Sequence, residues 1–327
     1  MPQKLIIDTD PGVDDMVAIL AALHAEDIEL LALTTVGGNV PIETTTANAL
    51  RILARGGHPE IPVHPGLAGA HTAAHVHGDD GLSGCPWPPS THPAQPEHAV
   101  DYLARVLPNN DITLACLGPL TNLAATLKRN PTLTNQIVLM GGGFGSYRFN
   151  ANNGIIESTG NVTPEAEFNI YSDIPAAQRV FSSKLNITVI PLDISQRTLL
   201  TPQRLEALPK DIAQILDRYT GFSRQKWGHH SGPLHDPNVI ARIAEPDLYN
   251  GVRGTVTVTE SGQTQLTPNP YGPHHVMLQV DADGYLDWVA ELLRQAPNPS
   301  SPNPTATIVS GSGTDGPPSV AASPNKL

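Results

Sequence analysis

Apolar residues recur along the chain in two alternating rhythms. Short β-rich runs predict strands at Lys4–Asp8, Ile28–Val36, Asp111–Leu117, Gln136–Met140 and Ile187–Leu192. Between them, helical spacing predicts helices at Asp14–His24, Glu43–Arg55, Glu97–Val106, Leu120–Lys128, Ile174–Ser183 and Lys210–Gln225. Strands that are apolar throughout and separated by helices form parallel βαβ units, since a parallel partner is reached only by a crossover. Later, Gly251–Val258 and His274–Val280 predict strands of a smaller antiparallel element, followed by a last helix at Asp283–Gln295. The expected fold class is therefore α/β: an open, mostly parallel Rossmann-like sheet flanked by helices, with a small antiparallel element near the C-terminus. Residues 1–295 read as one folded unit. Residues 296–327 are Pro, Ser, Asn, Gly and Thr with little to bury, and are expected to be a disordered tail.

The first strand runs directly into Asp8-Thr9-Asp10-Pro11-Gly12-Val13-Asp14-Asp15, four carboxylates in eight residues. A solvated acidic face would follow helix periodicity. This cluster instead sits where a buried strand ends and a Pro-Gly turn starts an apolar helix, and crevices at strand carboxyl ends are where open α/β sheets bind ligands. Carboxylates held so close repel unless their pKa values rise or a cation neutralises them. Oxygen-only ligands favour calcium or magnesium over zinc. An EF-hand is excluded, because Pro11 and Gly12 break the loop and Ile19 stands where its last Glu belongs.

Two long polar stretches interrupt the pattern. The first, Gly66–Pro96, carries His71, His75, His77 and His92 among many Gly and Pro residues and reads as a mobile lid rather than a zinc site. The second, Gly141–Thr163, begins with three glycines but lacks the Lys-Ser/Thr of a phosphate loop; it marks backbone passing close to a neighbour. Three further groups have ordinary structural readings when taken alone. Asp236 before Pro237 could simply cap a helix, Glu165–Asn169 could be an acidic first turn, and Asn39 could fill a left-handed turn.

Composition narrows the partners. The 327-residue chain has a formal charge of −12, which argues against nucleic acid, whose binding rests on Lys and Arg neutralising phosphates. No apolar run approaches the length of a membrane span. Two cysteines, Cys85 and Cys116, and no recognisable export signal predict a cytoplasmic protein with free thiols, in which the sequons at Asn161 and Asn186 carry no glycan.

Taken in order, the octapeptide Asp8–Asp15, Gly38-Asn39, Gly118-Pro119-Leu120-Thr121-Asn122, Met140–Gly143, Gly160-Asn161, Ala166-Glu167-Phe168-Asn169 and His235-Asp236-Pro237 resemble the inosine-uridine preferring nucleoside hydrolases, over about Lys4 to Gln295. The resemblance implies a catalytic domain at 1–295 that hydrolyses the N-glycosidic bond of ribonucleosides in purine or pyrimidine salvage. It implies Ca2+ held by Asp10, Asp15, Asp236 and the backbone carbonyl of Leu117, with Asp10 as general base. Asp14 and Asn169 match the partners of the ribose hydroxyls, Asn161 and Glu167 those of the 5′ hydroxyl, and Asn39 lies beside the attacking water and the sugar. His235 matches the acid that assists the leaving base, and His77 a second active-site histidine on the lid. Cleaving the bond builds positive charge on the sugar, which an Asp-rich site stabilises. A homodimer or homotetramer is implied as well. The stretch between Gly143 and Asn161 is longer than usual in the family. Two other functions remain open at this stage: a catalytically silent nucleoside- or sugar-binding protein, and a haloacid dehalogenase-like phosphatase with Asp8 as nucleophile.

Overall fold

The computed structural model describes residues 1–69, 76–108, 111–145, 147–151, 154–227 and 232–297. In chain order the strands are β1 Gln3–Thr9, β2 Ile28–Thr35, β3 Val63–Pro65, β4 Thr113–Cys116, β5 Gln136–Met140, β6 Tyr147–Ala151, β7 Gly154–Ser158, β8 Asn186–Ile190, β9 Leu199–Leu200, β10 Gly232–Pro233, β11 Tyr249–Val258, β12 Thr264–Pro268 and β13 His274–Val280. The helices are α1 Val13–His24, α2 Ile42–Arg55, α3 Ala99–Val106, α4 Thr121–Arg129, α5 Phe168–Ser172, α6 Ile174–Phe181, α7 Leu192–Ser195, α8 Pro202–Leu205, α9 Lys210–Trp227, α10 Pro237–Ala244 and α11 Ala282–Gln295.

Nine strands form one sheet in the order β12-β11-β13-β8-β5-β4-β1-β2-β3. From β13 to β3 every neighbour is parallel, while β11 pairs antiparallel with both β12 and β13. Mostly parallel strands with an antiparallel end match the expected class. Apolar side chains cover both faces of the sheet. Leu5 and Ile7 point to one hydrophobic layer, with α1, α10 and α11, and Ile6 to the other, with α3, α4 and α6. Period-2 alternation of a strand buried on both sides produces this division.

The sheet reverses its winding at β1, whose neighbours β2 and β4 lead away in opposite directions. Two backbone bonds extend the pairing just past the strand ends, from Val36 N to Thr9 O at 3.0 Å and from Leu117 N to Asp8 O at 2.8 Å. The segments after β1, β2 and β4 therefore open side by side at the reversal. Such switch points are where these sheets take ligands. The long stretch after β5 contains the β6–β7 hairpin, a pairing the sequence pattern does not announce.

Residues 71–75, with His71 and His75, lie outside the described residues, as do 298–327 of the expected tail. The lid from residue 76 onward is packed: Leu82 is fully buried, and the Trp87 indole donates to Asp211 on α9 at 2.8 Å. Among the described residues no helix is long and apolar enough to cross a membrane. Cys85 and Cys116 are free thiols.

Candidate active site

The octapeptide bends at Pro11-Gly12 so that its carboxylates diverge to different tasks. Asp8 is still on β1 and fully buried. Its Oδ1 accepts from Thr34 Oγ1 at 2.6 Å and Asn122 Nδ2 at 2.8 Å, and burial raises its pKa to about 6. Asn122 also donates to Thr35 O at 2.9 Å, so Asp8 belongs to a clamp that joins the ends of β1 and β2 to the start of α4. A group so enclosed is not placed to attack a substrate, which removes the nucleophile needed by a phosphatase reading.

Asp10 points out of the sheet between two glycines. A Cβ on Gly38 would lie 2.1 Å from Asp10 Oδ2, and one on Gly118 would lie 2.5 Å from Oδ1. The Asn39 backbone N–H donates to Oδ2 at 2.7 Å, and the Asn39 side chain donates to Asp10 O at 3.1 Å and to Asp15 Oδ2 at 3.2 Å. Asn39 does this without a left-handed backbone; the single non-glycine residue with positive φ among those described is Ser83. The turn-filling role considered for it is therefore not the one it plays.

Asp15 is held from both sides. Thr9 Oγ1 donates to its Oδ1, and the Gly12 N–H donates to its Oδ2 at 2.9 Å, closing the start of α1. Asp14 receives the His235 backbone N–H, yet its Oδ1 is buried without a hydrogen-bond partner. Asp236, the N-cap of α10, makes no side-chain cap hydrogen bond. The carboxylate is thus not consumed by the role that explains most Asp-Pro helix starts. Oxygens of Asp14, Asp15 and Asp236 come within 4.8 Å of one another. Burial, reinforced by mutual repulsion, pushes the Asp10 and Asp236 carboxyls well above the ordinary range, and burial also raises Asp14 and Asp15. An orphaned oxygen and a knot of buried carboxylates suit a hard divalent cation such as calcium or magnesium. Asp14 joins Asp15 and Asp236 in this knot, whereas Asp10 stands beside it in its glycine cradle.

A pocket opens above the knot, lined by Asp14, Asn39, Val76, His77, Leu117, Met140, Asn161, Val162, Glu167, Phe168, Asn169, Tyr219, His235 and Asp236. Every expected site residue other than Asp10 and Asp15 is in this lining. Asn169 Nδ2 bridges Leu117 O at 2.6 Å and Met140 O at 3.2 Å. Glu167 caps α5, accepting from Asn169 N at 2.9 Å and Ile170 N at 3.1 Å, and receives Gly142 N at 3.1 Å. The sequence predicts an acidic first turn here, but Glu167 stands one position earlier, as the N-cap, and the first turn of α5 carries no acid. Burial still lifts the Glu167 carboxyl to about 7, so a group at the pocket wall can carry a proton near neutrality. Gly142 reaches Glu167 with φ +79°, and a Cβ there would lie 2.9 Å from Thr264 Oγ1. Asn161 Oδ1 is turned to the Phe168 N–H at 2.9 Å.

The histidines close the other side. His77 stacks on Tyr219 with ring centres 5.2 Å apart, accepts the Val13 N–H at Nδ1 (3.1 Å), and is driven down to about pKa 4 by burial. His235 Nδ1 lies 2.8 Å from Ser195 Oγ, and burial lowers its pKa too, partly offset by Asp14. Tyr219 and Ser195 have no sequence signal of this kind: Tyr219 reads as one more apolar position of α9, and Ser195 ends a four-residue helix.

Comparison with known proteins gives a consistent result. A profile of the family described as "Inosine-uridine preferring nucleoside hydrolase" matches residues 5–287. A pyrimidine-specific ribonucleoside hydrolase from Photobacterium profundum is 36% identical over 321 residues, covering 90% of this chain and 99% of that protein. The solved structure of a plant nucleoside hydrolase superposes with TM-score 0.82 at 32% identity, covering 90% of this chain and 100% of that one. A purine-preferring ribonucleoside hydrolase from Gardnerella vaginalis superposes with TM-score 0.81 at 30% identity, covering 89% and 98%.

Proposed function

Since the chain belongs to the inosine-uridine preferring nucleoside hydrolase family and is thus an N-glycosidase of ribonucleosides, we propose that it works with calcium and with Asp10 as the general base. The observation that carries this reading is the gathering of Asp14, Asp15 and Asp236 under the pocket, with one oxygen unpartnered and Asp236 uncommitted as a cap. Asp10, Asp15, Asp236 and the Leu117 carbonyl would hold the ion, with Asp14 at its edge. When bound, the ion supplies a Lewis acid that grips vicinal hydroxyls and acidifies a water.

The rest falls to the chain itself. Asp10 has a raised proton affinity and a fixed orientation, which suits it to take a proton from the attacking water. Asp14 and Asn169 face the sugar's 2′ and 3′ hydroxyls. Asn39 orders the water and the sugar edge, while Asn161 and Glu167 receive the 5′ hydroxyl. The surrounding carboxylates favour positive charge developing at C1′ and the ring oxygen. His235 offers a hydrogen bond to the departing base, with His77 and Tyr219 shaping that side of the pocket. The substrate is a free ribonucleoside within purine or pyrimidine salvage, and we place the enzyme in the cytoplasm as a homodimer or homotetramer.

Incubation of the purified protein with inosine, uridine, cytidine and adenosine, with and without a chelator, tests the proposal through release of base and ribose. Turnover that chelation abolishes and calcium restores is expected. Turnover indifferent to chelation would refute the cation, and ligand binding without hydrolysis would refute the catalytic reading.

A further inference from the structure

We propose that Ser195 is a positioning residue for base departure: its hydroxyl donates to His235 Nδ1 and so holds the imidazole as the tautomer that presents Nε2–H to the leaving base. This rests on His235 serving the base as described above. With Nδ1 engaged at 2.8 Å by a fully buried serine, Nε2 is the ring atom left to offer a ligand in the pocket that His235 lines. Acceptors on a departing base, a ring nitrogen or an exocyclic oxygen, need a donor there. A neutral imidazole supplies one at Nε2 only if Nδ1 is the accepting nitrogen. A hydroxyl can donate to Nδ1, which a carboxylate or carbonyl partner could not do.

Besides the bond from the His235 backbone N–H to Asp14, the surrounding structure fixes this pair through a separate set of contacts. Thr198 Oγ1 donates to Ser195 O at 3.1 Å, anchoring the end of α7. Asn238 on α10 donates to Thr198 Oγ1 at 3.0 Å, to Leu234 O at 2.7 Å and to His235 O at 3.3 Å. Tyr249 OH in turn donates to Asn238 Oδ1 at 3.1 Å. A buried, mutually satisfied network therefore ties the serine-bearing turn to the histidine-bearing turn, and such networks specify one geometry. The β9–β10 pairing of Leu199 with Pro233 and Leu200 with Gly232 joins the same two segments through the backbone. His235 gives a hydrogen bond to the base as the C1′–N bond lengthens; the proton the free base finally keeps comes from solvent.

The test uses the full chain and two measurements. Long-range 1H–15N spectra of the wild-type protein should show His235 protonated at Nε2 and bare at Nδ1. In Ser195→Ala, kcat for ribonucleosides should fall by roughly 10-fold, part of the ~10²–10⁴ that a positioned donor supplies, with KM within about twofold. Hydrolysis of 4-nitrophenyl ribofuranoside, whose nitrophenolate leaves without a donor, should keep its kcat. A wild-type His235 protonated at Nδ1 would overturn the proposal, as would equal losses on both substrates or no loss on either. If His235→Ala leaves nucleoside turnover intact while the tautomer is as stated, the leaving-group reading fails and the Ser195 geometry stands.

Discussion

Replacing Gly38 with alanine separates the orientation of Asp10 from its chemistry. The added methyl would lie 2.1 Å from Asp10 Oδ2 and 2.9 Å from Pro119 Cδ, against an ordinary contact of at least 3.4 Å. Gly38 has no positive φ, so the alanine backbone is allowed and the conflict is purely one of space. Proline cannot yield easily, so the carboxylate must retreat by more than an ångström. Its 2.7 Å bond from Asn39 N is lost in doing so. A displacement of about 1 Å at a reacting group costs on the order of 10²-fold in rate, and overpacking costs about 1–3 kcal/mol of stability. The expected result is a kcat/KM for ribose release reduced about 100-fold, in a protein that still unfolds cooperatively in urea with a modestly lower midpoint. Activity within threefold of wild type in that folded protein would refute the claim that the glycine cradle aims the base.

Other outcomes follow from the same geometry. Asp10→Asn should lower kcat by at least about 10³-fold, because the base is gone. Asp8→Asn can keep accepting from Thr34 and Asn122 at Oδ1 and should stay within about tenfold; comparable losses in steady-state assays would contradict the assigned division. Tyr219→Ala removes the ring stacked on His77, worth about 0.5–1.5 kcal/mol, and should raise KM roughly 2- to 10-fold with a smaller change in kcat; an unchanged KM would count against the stack. Glu167 has a folded-state pKa of about 7 against 4.5. Its contribution is fully present below pH 4.5 and is lost as pH rises through 7, by about 3 kcal/mol. Glu167→Gln should narrow the difference in urea midpoint between pH 5 and pH 8, and an unaltered difference would show the carboxyl to be ionised throughout.

Legibility in the sequence tracked the size of the hydrophobic signal. Gln136–Met140 and His274–Val280 form strands with the bounds their apolar runs imply, and α1, α2 and α9 begin or end within two residues of expectation. Elements lacking a run of their own did not show. β3 is three residues ending in Pro65 at the sheet edge, α7 is a single turn, and β6–β7 lies in a polar insertion. The carboxylates of the site were visible because unneutralised acids at a strand end demand an explanation. Their partition is implied only by the family resemblance and not by the residues alone, since it depends on contacts such as Asn39 N to Asp10 and Thr9 to Asp15 that only the turn at Pro11-Gly12 creates. Ser195 was invisible for a related reason: a buried hydroxyl has meaning only through the ring it faces.

The carboxylate knot has a consequence for how the protein is made. Asp14 and Asp15 are synthesised before most of the sheet, whereas Asp236 follows only after β8 and α9. Long-range closure of this kind comes late, because the intervening chain must be ordered first. An emerging polypeptide would therefore build much of its sheet while two buried acids wait for their partner. Cation binding would then serve as a proofreading step, stabilising only chains in which α10 has docked. Nascent chains stalled before Pro237 should ignore calcium, and those released beyond Gln295 should gain resistance to protease when it is added.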